Sequence, residues 1–139
     1  MARADAGGDA NVPAVSHDPT FGDVASDYWA YKYIEYCYAN GIVSGYWDGY
    51  HPEETVNRAQ MAVYVARAVA GSDAAVPAGP LTATFTDVPT DFWAFKYVEY
   101  CVSLSIVAGY WDGYHPDEPV TRAQMAVYVQ RAYGLPMYN

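Results

Sequence analysis

The residues best suited to chemistry occur in matched pairs. Arg58 and Arg122 each follow a residue able to cap a helix, Asn57 and Thr121. A guanidinium is a rigid fork of donors that fits a carboxylate, and a helix start offers free N–H groups beside it. Positive charge at a helix N-terminus opposes the helix dipole, so its presence in both copies argues for a specific task. That task is either contact with an anionic ligand or a structural bond to a carbonyl or carboxylate. Two aromatic pairs, Tyr46-Trp47 and Tyr110-Trp111, provide flat faces for sugar rings. A cation, a capped helix start and aromatic faces together suit an acidic glycan.

Other chemistries lack their residues. His51 and His115 precede proline and have no second His or Cys at metal-ligand spacing. Asp48-Gly49 and Asp112-Gly113 have turn composition and not the dense oxygen spacing of a calcium loop. No nucleophile–base pair emerges, and the carboxylates fall at turns and helix surfaces. The expectation is a noncatalytic chain with no metal and no cofactor.

The elements that position these residues follow from a repeat. Residues 21–67 and 85–131 align at a constant shift of 64, so that Asp23, Trp29, Cys37, Gly45, Arg58 and Arg67 recur as Asp87, Trp93, Cys101, Gly109, Arg122 and Arg131. Self-similarity at a fixed period means one supersecondary unit used twice. Each unit reads as two helices, so the fold class is all-α. The first helix is expected from about Asp27 to Asn40, with Trp29, Ala30, Tyr33, Ile34, Cys37 and Tyr38 as its buried stripe. Gly41 stops it, a signal absent from the second copy, where Ser105 stands. Lys32 and Glu35 lie off the stripe at pairing distance. The Asp-Gly turn follows, with aromatic residues on both arms. The second helix starts at the Asn57 or Thr121 cap, with Gln60 or Gln124 completing a capping box, and ends at Gly71 or Gly134. The chain thus divides into an extended arm (1–20), repeat 1 (21–70), an Ala/Pro/Gly linker (71–84), repeat 2 (85–134) and a short tail (135–139).

Composition bounds the partners. The 139 residues carry a formal charge of −9 and a pI near 4.4, which argues against nucleic acid or an anionic membrane surface. Six of the seven basic residues are repeated pairs, Lys32/Lys96, Arg58/Arg122 and Arg67/Arg131, so positive charge sits at fixed motif positions. The last pair lies near a helix C-terminus, where charge is favourable, and reads as structural. No run approaches the roughly 18 apolar residues of a membrane span, so no membrane insertion is expected. Met1–Asp9 has no apolar stretch of a secretory leader. Cys37 and Cys101 fall on the buried stripe, as free thiols or as a bridge between equivalent core positions.

The order Phe-x-Asp-Val, Trp-Ala, Gly-Ile-Val-x-Gly-Tyr-x-Asp-Gly-Tyr-x-Pro and Val-Thr-Arg-Ala-Gln-Met-Ala resembles the S-layer homology motif, over residues 21–69 and 85–133. The resemblance implies extracellular, cell-surface modules in which three repeats form a three-pronged helical bundle. It also implies grooves between repeats that bind cell-wall polysaccharide, often pyruvylated. By the same resemblance Arg58 and Arg122 would contact the glycan, and Trp29, Trp93, Asp23, Asp87, Gly45 and Gly109 would shape the groove. The tryptophans Trp29 and Trp93 equally open an apolar stripe, where they would pack in the core. Asn57 departs from the family's threonine, and Gln60 and Gln124 from its acidic residue. With two repeats present, the bundle would be completed by another repeat or chain. The expected function is anchoring to an anionic cell-wall polysaccharide. The alternative is a structural subunit, a homo-oligomer or polymer, that assembles into a surface layer or filament.

Overall fold

The computed structural model describes residues 1–137. It is helical, with only isolated two-residue bridges and no sheet among the described residues. Five α-helices are present among the described residues: α1 (Ala2–Asp5), α2 (Tyr31–Ala39), α3 (Arg58–Ala70), α4 (Phe95–Ser103) and α5 (Arg122–Tyr133). Packing is handed from repeat to repeat. The second helix of repeat 1, α3, packs on the first helix of repeat 2, α4, while α5 touches both α3 and α1. The main core is therefore inter-repeat, joining Ala59, Met61, Ala62 and Val65 of α3 to Val98 and Cys101 of α4.

The second helices obey local rules. Asn57 accepts from the Gln60 N–H and the Gln60 side chain returns a bond to the Asn57 N–H; Thr121 and Gln124 do the same. Gly71 and Gly134 close them in the left-handed conformation. The first helices are shorter than the expected span. They begin at Tyr31 and Phe95, after a run of turns, so Trp29 and Trp93 precede the helical period and are exposed, at 78% and 59%. The core reading of these two tryptophans is thereby corrected. The buried stripe instead runs through Tyr31, Ile34, Glu35 and Cys37. Ser105 takes the same left-handed turn as Gly41, with φ of 58° against 68°, so the second copy stops without glycine.

Glu35 and Glu99 differ from the surface pairing expected at this spacing. Both are buried, and each carboxylate accepts from the backbone N–H and hydroxyl of a threonine, Thr20 or Thr84, at 2.7–2.8 Å. A buried carboxylate persists only when its oxygens are hydrogen-bonded, and these are. They clip the segment before each repeat to that repeat's first helix.

Residues 1–20 do not extend away as an arm. The shift of 64 continues through them: Ala2, Arg3, Ala4, Gly7, Asp9, Val12, Pro13 and Thr20 match Ala66, Arg67, Ala68, Gly71, Asp73, Val76, Pro77 and Thr84. The bonds repeat as well. Asp73 accepts from Arg67 Nε (2.8 Å) and Tyr97 Oη (2.6 Å) and pairs with Lys96 (3.2 Å). Asp9 accepts from Arg3 Nε (2.9 Å) and Tyr33 Oη (2.5 Å) and pairs with Lys32 (3.5 Å). Val12 and Val76 are both buried. Helix α1 is thus in register with the last turns of α3, and it is pinned from within the chain by Tyr36 and Tyr133, which donate to Asp5.

Candidate functional site

Each turn loop is anchored from one point. The Asp23 carboxylate accepts the backbone N–H groups of Tyr50 and His51, and Asp87 does the same for Tyr114 and His115. Accepting the Tyr50 N–H first, and then that of His51, holds the Asp23 carboxyl below its ordinary range. The same anchor explains Gly49, where any Cβ would meet the Asp23 carboxylate. Tyr46 and Gly49 pair across the turn, which carries Trp47 and Asp48 at its tip. Trp47 and Trp111 stand 97% exposed.

His51 braces this turn from inside. Its ring reaches Glu54 at 2.8 Å and Asp48 at 3.0 Å and stacks on Tyr46 with centroids 5.1 Å apart. His115 repeats this with Glu118, Asp112 and Tyr110. Bonding to Glu54, opposed by desolvation and reinforced by Asp48, raises the His51 pKa. Neither histidine belongs to a metal-binding group among the described residues.

One groove forms where the two repeats meet. Ser44, Gly45 and Tyr46 of the first turn loop form one wall, Gln60, Val63, Tyr64 and Arg67 of α3 the floor, and Trp93 of repeat 2 the far side, enclosing about 310 Å³. The Gln60 side chain donates to Tyr46 Oη at 3.2 Å, fixing the wall to the floor. Arg67 and Lys96 share one carboxylate, Asp73, so this triad carries a net positive charge beside the groove in an acidic chain. The Asp73 carboxyl is depressed to about 2, first by the Tyr97 hydroxyl and next by Arg67.

The expected site residues separate. Gly45, Tyr46 and Trp93 come together in the groove. Asn57 and Thr121 spend their side-chain oxygens on capping. Arg58 is 2% exposed and lies in the joint between repeats. It donates from Nε to the Tyr114 carbonyl (2.7 Å), from Nη1 to Tyr128 Oη (2.7 Å) and from Nη2 to the Ala108 carbonyl (2.9 Å). Its guanidinium also sits 4.4 Å from the Tyr114 ring centroid and 5.0 Å from that of Tyr110. Arg122 is exposed and has no hydrogen-bond or ion-pair partner among the described residues; it borders an open hollow with Val120, Met125 and Leu135. Gly109, Tyr110 and Trp111 form the counterpart loop of repeat 2. Trp29 borders a separate apolar hollow beside Met1 and Tyr33.

Sequence reading missed Gln60, Tyr64 and Arg67 as groove residues. Their spacing of four and three along α3 puts them on one helix face, and that period was the available signal. Arg67, expected to be structural, is bonded to Asp73 and, though only 20% exposed, also lines the groove. Cys37 and Cys101 are free, buried in separate parts of the core, and burial raises their pKa to about 11 and about 12.

Comparison with known proteins fits this arrangement. The S-layer homology domain model matches residues 20–62 and 84–126. An amylopullulanase of Thermoanaerobacterium thermosulfurigenes is 30% identical over 123 residues, 88% of this chain and 6% of that protein. A cellulosome-anchoring protein of Acetivibrio thermocellus is 40% identical over 72 residues, 50% of this chain and 15% of the relative. S-layer protein EA1 of Bacillus anthracis is 29% identical over 127 residues, 88% of this chain and 14% of the relative. The chain therefore spans only a small part of each of these relatives. With both repeats matched from the threonine clip to the middle of the second helix, the chain belongs to the S-layer homology domain family and carries two of its repeats in tandem.

Proposed function

We propose that the chain is a noncatalytic cell-surface module that anchors by binding an anionic, pyruvylated cell-wall polysaccharide in the groove between its repeats. The observation that carries this reading is the convergence of Gly45, Tyr46, Gln60, Tyr64, Arg67 and Trp93 on one groove. Trp93 offers a sugar ring a largely exposed face, Tyr46 and Gln60 offer polar handles, and Arg67 offers charge to a carboxylate. Trp47 and Trp111 at the loop tips would extend the stacking surface along a polymer. Arg122, whose guanidinium has no partner among the described residues, is a further candidate for glycan contact. The relatives named for cellulosome anchoring and for the S-layer support a place outside the cell, and those named as enzymes match this chain over a small fraction of their length. No helix among the described residues is long and apolar enough to cross a membrane. The acidic charge opposes a nucleic-acid partner.

The test is co-sedimentation with purified cell-wall polysaccharide. Trp93→Ala, at an exposed position, should weaken retention up to about tenfold with the helical content unchanged, since one stacked ring contributes about 0.5–1.5 kcal/mol. Removing the pyruvyl groups should weaken the unaltered protein similarly. Equal retention of Trp93→Ala and the unaltered chain would exclude this groove.

A second reading, assembly into a surface layer, is favoured by one specific feature. Val120, just before α5, and Met125 and Val129 on it are only half-buried, whereas Met61 and Val65 at the corresponding positions of α3 are buried in the joint. A contact that does not close on itself would build filaments or sheets. Light scattering across a concentration series distinguishes this from a monomer.

A further inference from the structure

Each turn loop holds a histidine whose two ring nitrogens both face carboxylates. His51 Nδ1 lies 2.8 Å from Glu54 Oε1, and Nε2 lies 3.0 Å from Asp48 Oδ1. His115 repeats this with Glu118 and Asp112, both at 2.9 Å. A carboxylate only accepts, and a neutral imidazole donates from one nitrogen alone, so both bonds exist together only in the imidazolium. The rings reach this position from a left-handed backbone, with φ of 61° and 59°, which a side chain adopts at a cost. Among the described residues only Ser105 shares that conformation without being glycine. A strained histidine at the same point of both loops marks the ring as the part required.

The His51 ring stacks on Tyr46, which walls the groove, with centroids 5.1 Å apart; the histidine itself is not among the groove-lining residues. It acts on the groove through Tyr46. Asp23 adds a third carboxylate nearby, taking the His51 backbone N–H at 2.7 Å. Tyr50 and Tyr64 share a small hollow with the ring as neutral phenols, their pKa values raised by burial. No lysine or arginine pairs with Asp48 or Glu54 among the described residues.

The two loops differ in what else holds them. In repeat 2 the start of α3 takes the loop's carbonyls. Arg58 N–H donates to that of Glu118 and Ala59 N–H to that of Pro116, both at 2.9 Å, and the Arg58 side chain bonds those of Tyr114 and Ala108. The guanidinium also covers the Tyr110 ring. In repeat 1 the matching carbonyls of Glu54, Pro52, Tyr50 and Ser44 accept no hydrogen bond among the described residues. Beyond its own turn bonds, that loop relies on the Asp23 anchor, the Gln60–Tyr46 bond and His51. His51 therefore braces the loop that walls the groove, and His115 is its matched control.

We propose that His51, as the imidazolium, is a positioning residue for the groove: by bridging Asp48 and Glu54 it holds Tyr46 in place, so that proton uptake tightens the grip on an acidic glycan and proton loss loosens it. Deprotonation turns one ring nitrogen into a lone pair facing a carboxylate, and one of the two bridges opens. Bonding to Glu54, with desolvation opposing, raises the His51 pKa above the ordinary 6.5. The bridge is thus complete below about pH 6.5 and is lost as pH rises through the folded value. The effect on glycan rests on the groove being the glycan site, whereas the coupling of His51 to Tyr46 does not.

The experiment follows two quantities on the full chain between about pH 5.5 and about pH 8.5. The first, without glycan, is the NMR signal of the Gln60 side-chain amide, which reports its bond to Tyr46 Oη. It should titrate with the midpoint of the His51 ring and stay flat in His51→Asn, since asparagine tolerates the left-handed backbone. A Gln60 signal that ignores the His51 titration overturns the coupling whatever the glycan does. The second is retention on purified cell-wall polysaccharide. It should fall about threefold across the interval, as it does when about one third of the molecules keep the wall in place with the ring neutral. His51→Asn should show the weaker retention throughout, and His51→Arg, a permanent cation, the stronger. His115→Asn loses the same bonds and should keep the parent's pH profile, which a general loss of stability would not allow. Equal profiles for the parent and His51→Asn, or an equal change in His115→Asn, overturn the proposal. Trp93→Ala at about pH 5.5 reports separately. Full retention there removes the groove as the glycan site, while the Gln60 titration still decides whether His51 positions the wall.

Discussion

Arg58 and Tyr114 bond each other in both directions. Arg58 Nε donates to the Tyr114 carbonyl at 2.7 Å, and Tyr114 Oη donates to the Arg58 carbonyl at 3.2 Å. The pair lies 56 residues apart in sequence and joins the repeats at the start of α3. Tyr114 is fully buried, so the bonds are shielded from water, and the ring covers the guanidinium face.

From this pairing, Arg58→Ala should destabilise the chain by about 3 kcal/mol, because it leaves buried acceptors unpaired as well as removing charge-assisted bonds. Arg58→Lys should recover little, since an ammonium cannot reach three acceptors as a fork does. Arg122→Ala, at an exposed position without partners, should stay within about 0.5 kcal/mol. Urea denaturation of the three variants checks this. Equal effects at Arg58 and Arg122 would mean that the joint does not depend on the bonds of Arg58.

The contrast between these arginines was not legible in the sequence, where the two copies read Asn-Arg-Ala-Gln-Met and Thr-Arg-Ala-Gln-Met. What separates them is whether another repeat's loop covers the helix start, a tertiary fact. The capping boxes, the glycine stops and the Asp-Gly turns were legible because each depends on residues within four or five positions. The burial of Glu35 was not, because its partner Thr20 lies 15 residues away. Trp29 was misplaced for a related reason: a helical period was extended backward through a segment whose hydrogen bonds form successive turns. The match of residues 1–20 to 65–84 was present in the sequence, but Ala, Gly and Pro gave it the look of a tail.

A pH dependence follows from the braced histidines. Bonding to Glu54 and Glu118 is the leading cause that raises the folded pKa of His51 and His115 above the ordinary value of 6.5. The protonated rings therefore stabilise the turns fully below about pH 6.5, and this is lost as pH rises through the folded values. The melting temperature should fall across that interval, and His51→Gln with His115→Gln should flatten the fall. NMR titration of the ring protons should give both histidines values above 6.5. Values at or below 6.5 would show that the carboxylate braces are not formed in solution.

At the acid end the sign reverses. Asp73, depressed to about 2 by Tyr97 and Arg67, contributes stability that is complete above the unfolded value near 3.8. That contribution is lost as pH falls from about 4 to about 2. Because the side chain is nearly half exposed, screening keeps the effect small. Asp73→Asn should thus remove part of the acid dependence while lowering the melting temperature modestly at pH 7. Asp9→Asn should act in the same direction, through Arg3 and Tyr33 in place of Arg67 and Tyr97. Acid melting curves of both variants that overlay the parent's would refute the shared role.

Gly109 tests whether the loop wall is set by packing or by turn chemistry. A Cβ there would run into the Phe85 ring and approach the Gly113 carbonyl at 2.9 Å. Gly109→Ala should then destabilise by about 2 kcal/mol, as overpacking does, even though its backbone does not need the left-handed region. Trimming the ring with Phe85→Leu removes the nearer obstacle but leaves the carbonyl. The double variant should accordingly be more stable than the sum of the single effects predicts, by about 1 kcal/mol. Strict additivity would mean that the carbonyl alone sets the limit, and that the ring of Phe85 can move aside without cost. A coupling of the expected size would identify the Phe85–Gly109 contact as what fixes the loop against the repeat, and so what holds Tyr110 and Trp111 where they stand.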